Sequence, residues 1–134
     1  MFIAYDVSKQ LVTRLRGIVA AIQKSDPELA DQLRRAANSV LLNLAEGQKS
    51  SNGNKLRHYK IAQGSAQEIV GALDAAEAWD IVNDTAEERA LLDRLLAIMW
   101  KLTHAPSLQP KRASAPALRE RPAPERARSR GNVS

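Results

Sequence analysis

Apolar residues recur at steps of three and four along most of this chain, and they do so most clearly between Asp26 and Gly47. Leu29, Leu33, Ala36, Val40 and Leu44 fall on one face of a helix there. Asp26 is placed to N-cap it, Pro27 suits the first helical position, and Glu28 and Asp31 suit the positive end of the dipole. Gly47 stands where a left-handed C-terminal residue is expected. The spacing predicts a helix over 27–46. A second stripe runs beside the apolar one: Arg35, Ser39, Asn43 and Glu46, at steps of four, four and three, which stack on adjacent turns.

Three further segments carry the same period. Leu11, Leu15, Ile18 and Ile22 predict a helix over about 7–25, with Phe2, Ile3 and Tyr5 preceding it. QKSSNGN after Gly47 reads as a turn-rich connector. Tyr59, Ala62, Ala66, Ile69, Leu73 and Ala76 form a heptad-like seam in a third helix over about 54–81. Its small residues suit close approach to a partner helix, while Gly64 and Gly71 lie on the opposite side. Asn83-Asp84 marks a turn, and Thr85 with Glu88 three residues later matches a capping box. Leu92, Leu95, Met99 and Leu102 then share a face of a fourth helix over about 85–103. No strand pattern competes. The expected fold is all-α: an antiparallel up-down-up-down four-helix bundle over residues 1–104.

From residue 105 the pattern stops. Five prolines and scattered arginines, with almost no large apolar residues, predict a disordered Arg/Pro-rich tail over 105–134. Charge divides at the same place. Residues 1–103 hold 13 basic and 13 acidic residues, whereas residues 104–134 hold 7 basic and 2 acidic. The net charge of +5 therefore comes from the tail alone. There is no cysteine, so disulfides and thiolate metal sites are excluded. No apolar run is long enough to span a membrane and no targeting pattern opens the chain, so no membrane partner and a cytoplasmic location are expected.

Catalytic motifs are lacking. The two histidines, His58 and His104, form no Glu-x-x-His or His-Glu-x-x-His element; His58 reads as an exposed helix residue and His104 as the start of the tail. No glycine loop would cradle phosphate. The expectation is a protein without enzymatic activity, cofactor or metal. The polar stripe continues into the third helix at Ser65 and Glu68. In an antiparallel pair, Asn43 lies opposite residues 55–59, and Arg35–Ser39 opposite Ser65–Glu68, so an Arg35–Glu68 pair with Ser39 and Ser65 beside it is geometrically reasonable. Arg35, Ser39, Asn43, Glu46, Ser65 and Glu68 thus read as a structural network that fixes register, as an interface between subunits, or, with least weight, as a ligand site. The basic residues Lys49, Lys55, Arg57 and Lys60 at the turn, with Lys111, Arg112, Arg119, Arg121, Arg126, Arg128 and Arg130 in the tail, suit phosphate contact without sequence reading. A solvated helix face and a solubilising extension are the competing readings.

QLRRAANSVLLNLAEG, a short polar turn, and KLRHYKIAQGSAQEIVGAL together resemble the small four helix bundle proteins also called ribosomal RNA intervening sequence proteins. The matching positions are Arg35, Ala36 and Ser39; Asn43, Glu46 and Gly47; and Gly64, Ser65 and Glu68. The family is similar in fold to the accessory variability protein of diversity-generating retroelements, a homopentamer that binds a reverse transcriptase and nucleic acid. The resemblance implies a homopentamer with a non-enzymatic role. The functional expectation is a homo-oligomeric helical adaptor that binds RNA or a ribonucleoprotein with help from the basic tail. The alternative is a scaffold for a protein partner, such as a reverse transcriptase, without nucleic-acid binding.

Overall fold

A computed structural model describes residues 2–110, and within them the chain is four helices and one short turn of 3-10 helix. Helix α1 runs Ile3–Ser25, α2 Pro27–Lys49, α3 Asn52–Ala78 and α4 Ala86–Thr103; the 3-10 turn is Pro106–Leu108. Each helix packs on its neighbours in the chain, and α1 also packs on α4. The four thus close a ring in the up-down-up-down order. No strand occurs among the described residues.

The apolar stripes meet on the bundle axis. Val7, Leu11, Leu15 and Ile22 of α1, Leu33, Val40 and Leu44 of α2, Ile69 and Leu73 of α3, and Leu92, Leu95 and Met99 of α4 are all fully buried. Burying a side chain of this size contributes about 1.5–3 kcal/mol. Beyond Tyr59 near its start, the core face of α3 otherwise carries Ala62, Ser65, Ala66, Ala72 and Ala76. Such small side chains let α3 lie close to α2, and that pair shares the most extensive contact in the bundle.

The helix ends depart from the expected limits for local reasons. α1 begins at Ile3 rather than near residue 7, because Phe2 serves as its extended N-cap and packs its ring, tilted by 33°, with its centroid 5.8 Å from that of Tyr59. Asp26 caps α2 through its side chain, accepting from the Leu29 amide at 3.0 Å. Gly47 does not end α2. No glycine among the described residues has a positive φ, and the helix continues to Lys49, so only Ser50-Ser51 remain of the expected connector. The reason for a glycine there is packing: a Cβ on Gly47 would lie 2.6 Å from Cε1 of Tyr59. A methyl group is excluded by the neighbouring helix.

α3 ends at Ala78, three residues before the expected Ile81, in a Schellman closure built on an aspartate. The Ile81 amide donates to the Ala76 carbonyl at 2.8 Å and the Asp80 amide to the Glu77 carbonyl at 2.9 Å. Asp80 takes the left-handed conformation this closure needs, with φ 58°. Glycine is the residue that meets no Cβ penalty in that region. Asp80→Gly also removes a negative charge from the negative end of the helix dipole. Denaturant melts of Asp80→Gly are expected to show a gain of about 0.5–1 kcal/mol, the usual size for a strain-relieving exchange at a helix end.

The capping box expected at Thr85 and Glu88 is absent. Thr85 makes no side-chain cap bond to α4. Its hydroxyl donates to a Glu77 carboxylate oxygen instead, and Arg89 joins both, with Nε 3.0 Å from Thr85 Oγ1 and 3.3 Å from Glu77 Oε2, while its Nη2 donates to Asp74 Oδ1 at 2.9 Å. This clasp ties the start of α4 to the end of α3. The hydrogen bond from Thr85, then that from Arg89, holds the Glu77 carboxyl below its ordinary value of 4.5. A depressed carboxyl supports the fold above its unfolded pKa, and that support is lost as the pH falls through the folded value. Thermal melts between neutral pH and pH 3 are expected to show a wild-type loss below about pH 4.5 that is smaller in Glu77→Gln.

Order extends past residue 104. Asn52 of α3 donates to the Ser107 carbonyl at 3.2 Å, and Gln109 donates to the Thr103 carbonyl at 2.6 Å. Residues 105–110 therefore fold back on the end of the bundle, which corrects the expected tail boundary. The remainder of the expected tail, residues 111–134, lies outside the described residues.

Candidate functional site: a polar chain, a groove and a basic end

Between α2 and α3 runs a chain of four polar side chains. Asn43 Nδ2 donates to the Ser39 carbonyl at 2.9 Å and to Ser39 Oγ at 3.2 Å. Ser65 Oγ donates to Ser39 Oγ at 2.7 Å. A carbonyl can only accept, so the amide of Asn43 must face Ser39 and its oxygen must face His58, whose Nδ1 lies 2.9 Å away. That oxygen accepts, so Nδ1 of His58 carries the hydrogen. His58 is half-buried, not the exposed helix residue the sequence suggested. Its position follows from register: Asn43 lies about two turns from the Ser50-Ser51 link on one side and His58 equally far on the other.

Only three of the six stripe residues belong to this chain. Arg35 turns away and pairs with Asp31 at 3.0 Å, with 78% of its side chain exposed. The expected Arg35–Glu68 pair does not form. Asp31 sits one turn below Arg35 on the same helix, and an (i, i+4) partner is reached without spanning the groove. Glu68 is exposed and makes no ion pair with any described residue. Glu46 is exposed as well, and only its main-chain carbonyl is used, by Ser50 Oγ at 2.8 Å. An exposed pair such as Asp31–Arg35 contributes about 0–1 kcal/mol, so stabilisation in this region rests on buried Ser65 and half-buried Ser39 and Asn43.

Arg35 and Glu68 stand instead on the two walls of a groove of about 490 Å³, with Ser39 and Ala72 in it and Gly71 on the α3 side. Nothing lies within 4 Å of where a Cβ would sit on Gly64 or Gly71. Leu42 on α2 and Ile61 on α3 are 65% and 41% exposed. The face shared by α2 and α3 is therefore uneven and partly apolar. Among the described residues no group of acids and histidines is arranged to hold a metal ion.

Charge on the bundle is separated end from end. The Ser50-Ser51 link, the start of α1 and the close of α4 share one end; the links after α1 and α3 share the other. Residues 48–61 hold Lys49, Lys55, Arg57 and Lys60 and no acid. Residues 74–88 hold six carboxylates and no basic residue. Lys49, Arg57 and Lys60 are exposed, and Lys55 is half-buried with Nζ 3.4 Å from the Gln48 carbonyl. The equal counts read from the sequence conceal this segregation. The last described residues also leave from the basic end, since Ser107 is held by Asn52. Lys111, Arg112, Arg119, Arg121, Arg126, Arg128 and Arg130 follow beyond the described residues.

No helix among the described residues is long and apolar enough to cross a membrane. No solved structure matches the chain. Among curated proteins, a bifunctional glutamine synthetase adenylyltransferase/adenylyl-removing enzyme of Pseudomonas putida is 37% identical over 90 residues. That stretch is 65% of this chain but 9% of the enzyme, so the chain spans less than a tenth of that relative. The 23S rRNA-intervening sequence protein family matches over residues 2–103, which takes in all four helices and both partners of every bond in the polar chain, and the protein belongs to that family.

Proposed function

We propose that this protein is a non-catalytic, homo-oligomeric adaptor of the cytoplasm that holds RNA, or a ribonucleoprotein, at the basic end of its bundle. The observation that carries the reading is the charge separation: residues 48–61 hold four basic residues and no acid, at the end from which a chain with seven more departs. A phosphate backbone is the natural partner of such a surface, because each neutralised phosphate releases counterions. The uneven α2–α3 face, with Leu42 and Ile61 exposed, supports assembly with further copies, five being the number the family resemblance implies. Repetition of the basic end around a ring would make the phosphate contact multivalent. The same exposed pair favours a second reading, a scaffold for a protein partner without RNA.

Filter binding of a structured RNA across a salt series tests the first reading. The affinity is expected to fall at least about tenfold between 50 and 200 mM salt, and removal of residues 111–134 is expected to lower both affinity and salt slope. The deletion begins at 111 because Leu108 and Gln109 pack on the bundle. Binding that ignores salt and survives the deletion would overturn the basic end as the contact. Light scattering on nuclease-treated protein, returning a monomer at micromolar concentration, would overturn the assembly.

A further inference from the structure

At the basic end the last turn of α4 presents an aromatic pair that the bundle does not use for its core. The rings of Trp100 and His104 are stacked, 3.9 Å between centroids and 15° from parallel. Both residues are exposed, Trp100 by 56%. The imidazole is held in place: its Nδ1 lies 2.8 Å from the Trp100 carbonyl, which can only accept, so Nδ1 donates and the ring is fixed against the indole. Thr103 anchors the neighbouring backbone, with Oγ1 3.4 Å from Gln63 Oε1 of α3. That register sets Lys60, one turn before Gln63, at the same end as the stack, and Lys101 follows Trp100 directly.

We infer that Trp100 is a stacking platform for an unpaired base of single-stranded RNA, with Lys60 and Lys101 taking the flanking phosphates. The inference rests on the RNA reading above and narrows it to single strands. Three properties support it. The imidazole stacked on the indole is tethered before any ligand arrives, so part of the ordering cost is already met. Exposed Lys60 and Lys101 lie at the same end of the bundle as the exposed indole, and cations beside an aromatic ring are the pairing that sequence-tolerant single-strand sites use. A base in a duplex is already stacked on its neighbours and cannot use the platform, whereas the lysines serve either form.

The test compares a 20-nucleotide oligouridine with an RNA duplex of equal length, using the full chain. Trp100→Ala is expected to weaken oligouridine binding about tenfold while leaving duplex binding and both salt slopes unchanged. Trp100→Phe is expected to retain most of the single-strand affinity. In a Trp79→Phe background, which leaves Trp100 as the sole indole, oligouridine is expected to quench the fluorescence and duplex is not. Equal loss for both RNAs, or no loss for either, in a Trp100→Ala protein of unchanged helicity would overturn the platform while leaving RNA binding standing. Wild-type protein that binds neither RNA would overturn both.

Discussion

Gly47→Ala is expected to lower the stability of the bundle by about 2 kcal/mol, although alanine is the better helix former. Inside a helix the exchange alone would stabilise by about 1 kcal/mol. Here the added methyl would stand 2.6 and 2.8 Å from two ring carbons of Tyr59 and 3.2 Å from Cβ of His58. The ring cannot swing clear, because Tyr59 is 4% exposed and packs against Phe2. Overpacking of this kind costs about 1–3 kcal/mol or more, and the backbone of α2 must move away from α3 to relieve it. The melting temperature is expected to fall by roughly 10 °C for a domain of this size. The control is the same exchange in a Tyr59→Leu background, where the clash is gone and Gly47→Ala is expected to be neutral or stabilising. A wild-type background in which Gly47→Ala raises the melting temperature would show that α2 and α3 do not approach as closely as described.

Asn43 carries the second large effect. It joins His58 of α3 to the two serines, donating to Ser39 and accepting from His58. Asn43→Ala leaves the His58 Nδ1–H without its acceptor and Ser39 Oγ with a single donor, Ser65. Such a loss in a half-buried setting costs about 1–3 kcal/mol. Asn43→Asp separates hydrogen bonding from shape. The outline is kept and His58 still finds an acceptor, but a carboxylate oxygen now faces the Ser39 carbonyl where an N–H stood at 2.9 Å. Two acceptors in contact repel, so Asn43→Asp is expected to cost at least as much as Asn43→Ala near neutral pH and to recover part of the loss below about pH 4 as the carboxyl protonates. Urea midpoints at pH 7 and pH 4 distinguish the two. An aspartate variant as stable as the wild type at pH 7 would remove Asn43 from its role.

The bundle was legible because its apolar stripes repeat at helical spacing and its breaks are chemically explicit, as Asp26-Pro27 shows. Antiparallel register was legible too: Asn43 opposite residues 55–59 and Ser39 opposite Ser65 follow from counting outward from one link. What escaped was the direction of individual side chains. Arg35 and Glu68 lie at suitable heights to pair, yet Asp31 on the same helix reaches Arg35 first. Gly47 looked like a terminus because glycine so often serves there, whereas the need is set by Tyr59, a residue of another helix. Thr85 and Glu88 fit a capping pattern, but Glu77 and Arg89 capture the hydroxyl. In each case a tertiary neighbour displaced a local rule. The charge separation escaped for a different reason. It arises only when the chain doubles back, setting residues 48–61 and 74–88 at opposite ends.

That arrangement makes the folded molecule an electric dipole along its long axis despite its balanced charge. Near a polyanion it experiences a torque, and it turns to meet the strand with its positive pole before any contact forms. In a ring whose subunits all point the same way these dipoles would add, giving the assembly a cationic mouth and an anionic base. Such a ring would approach a polyanion from one side only, and two free rings would be drawn together mouth to base.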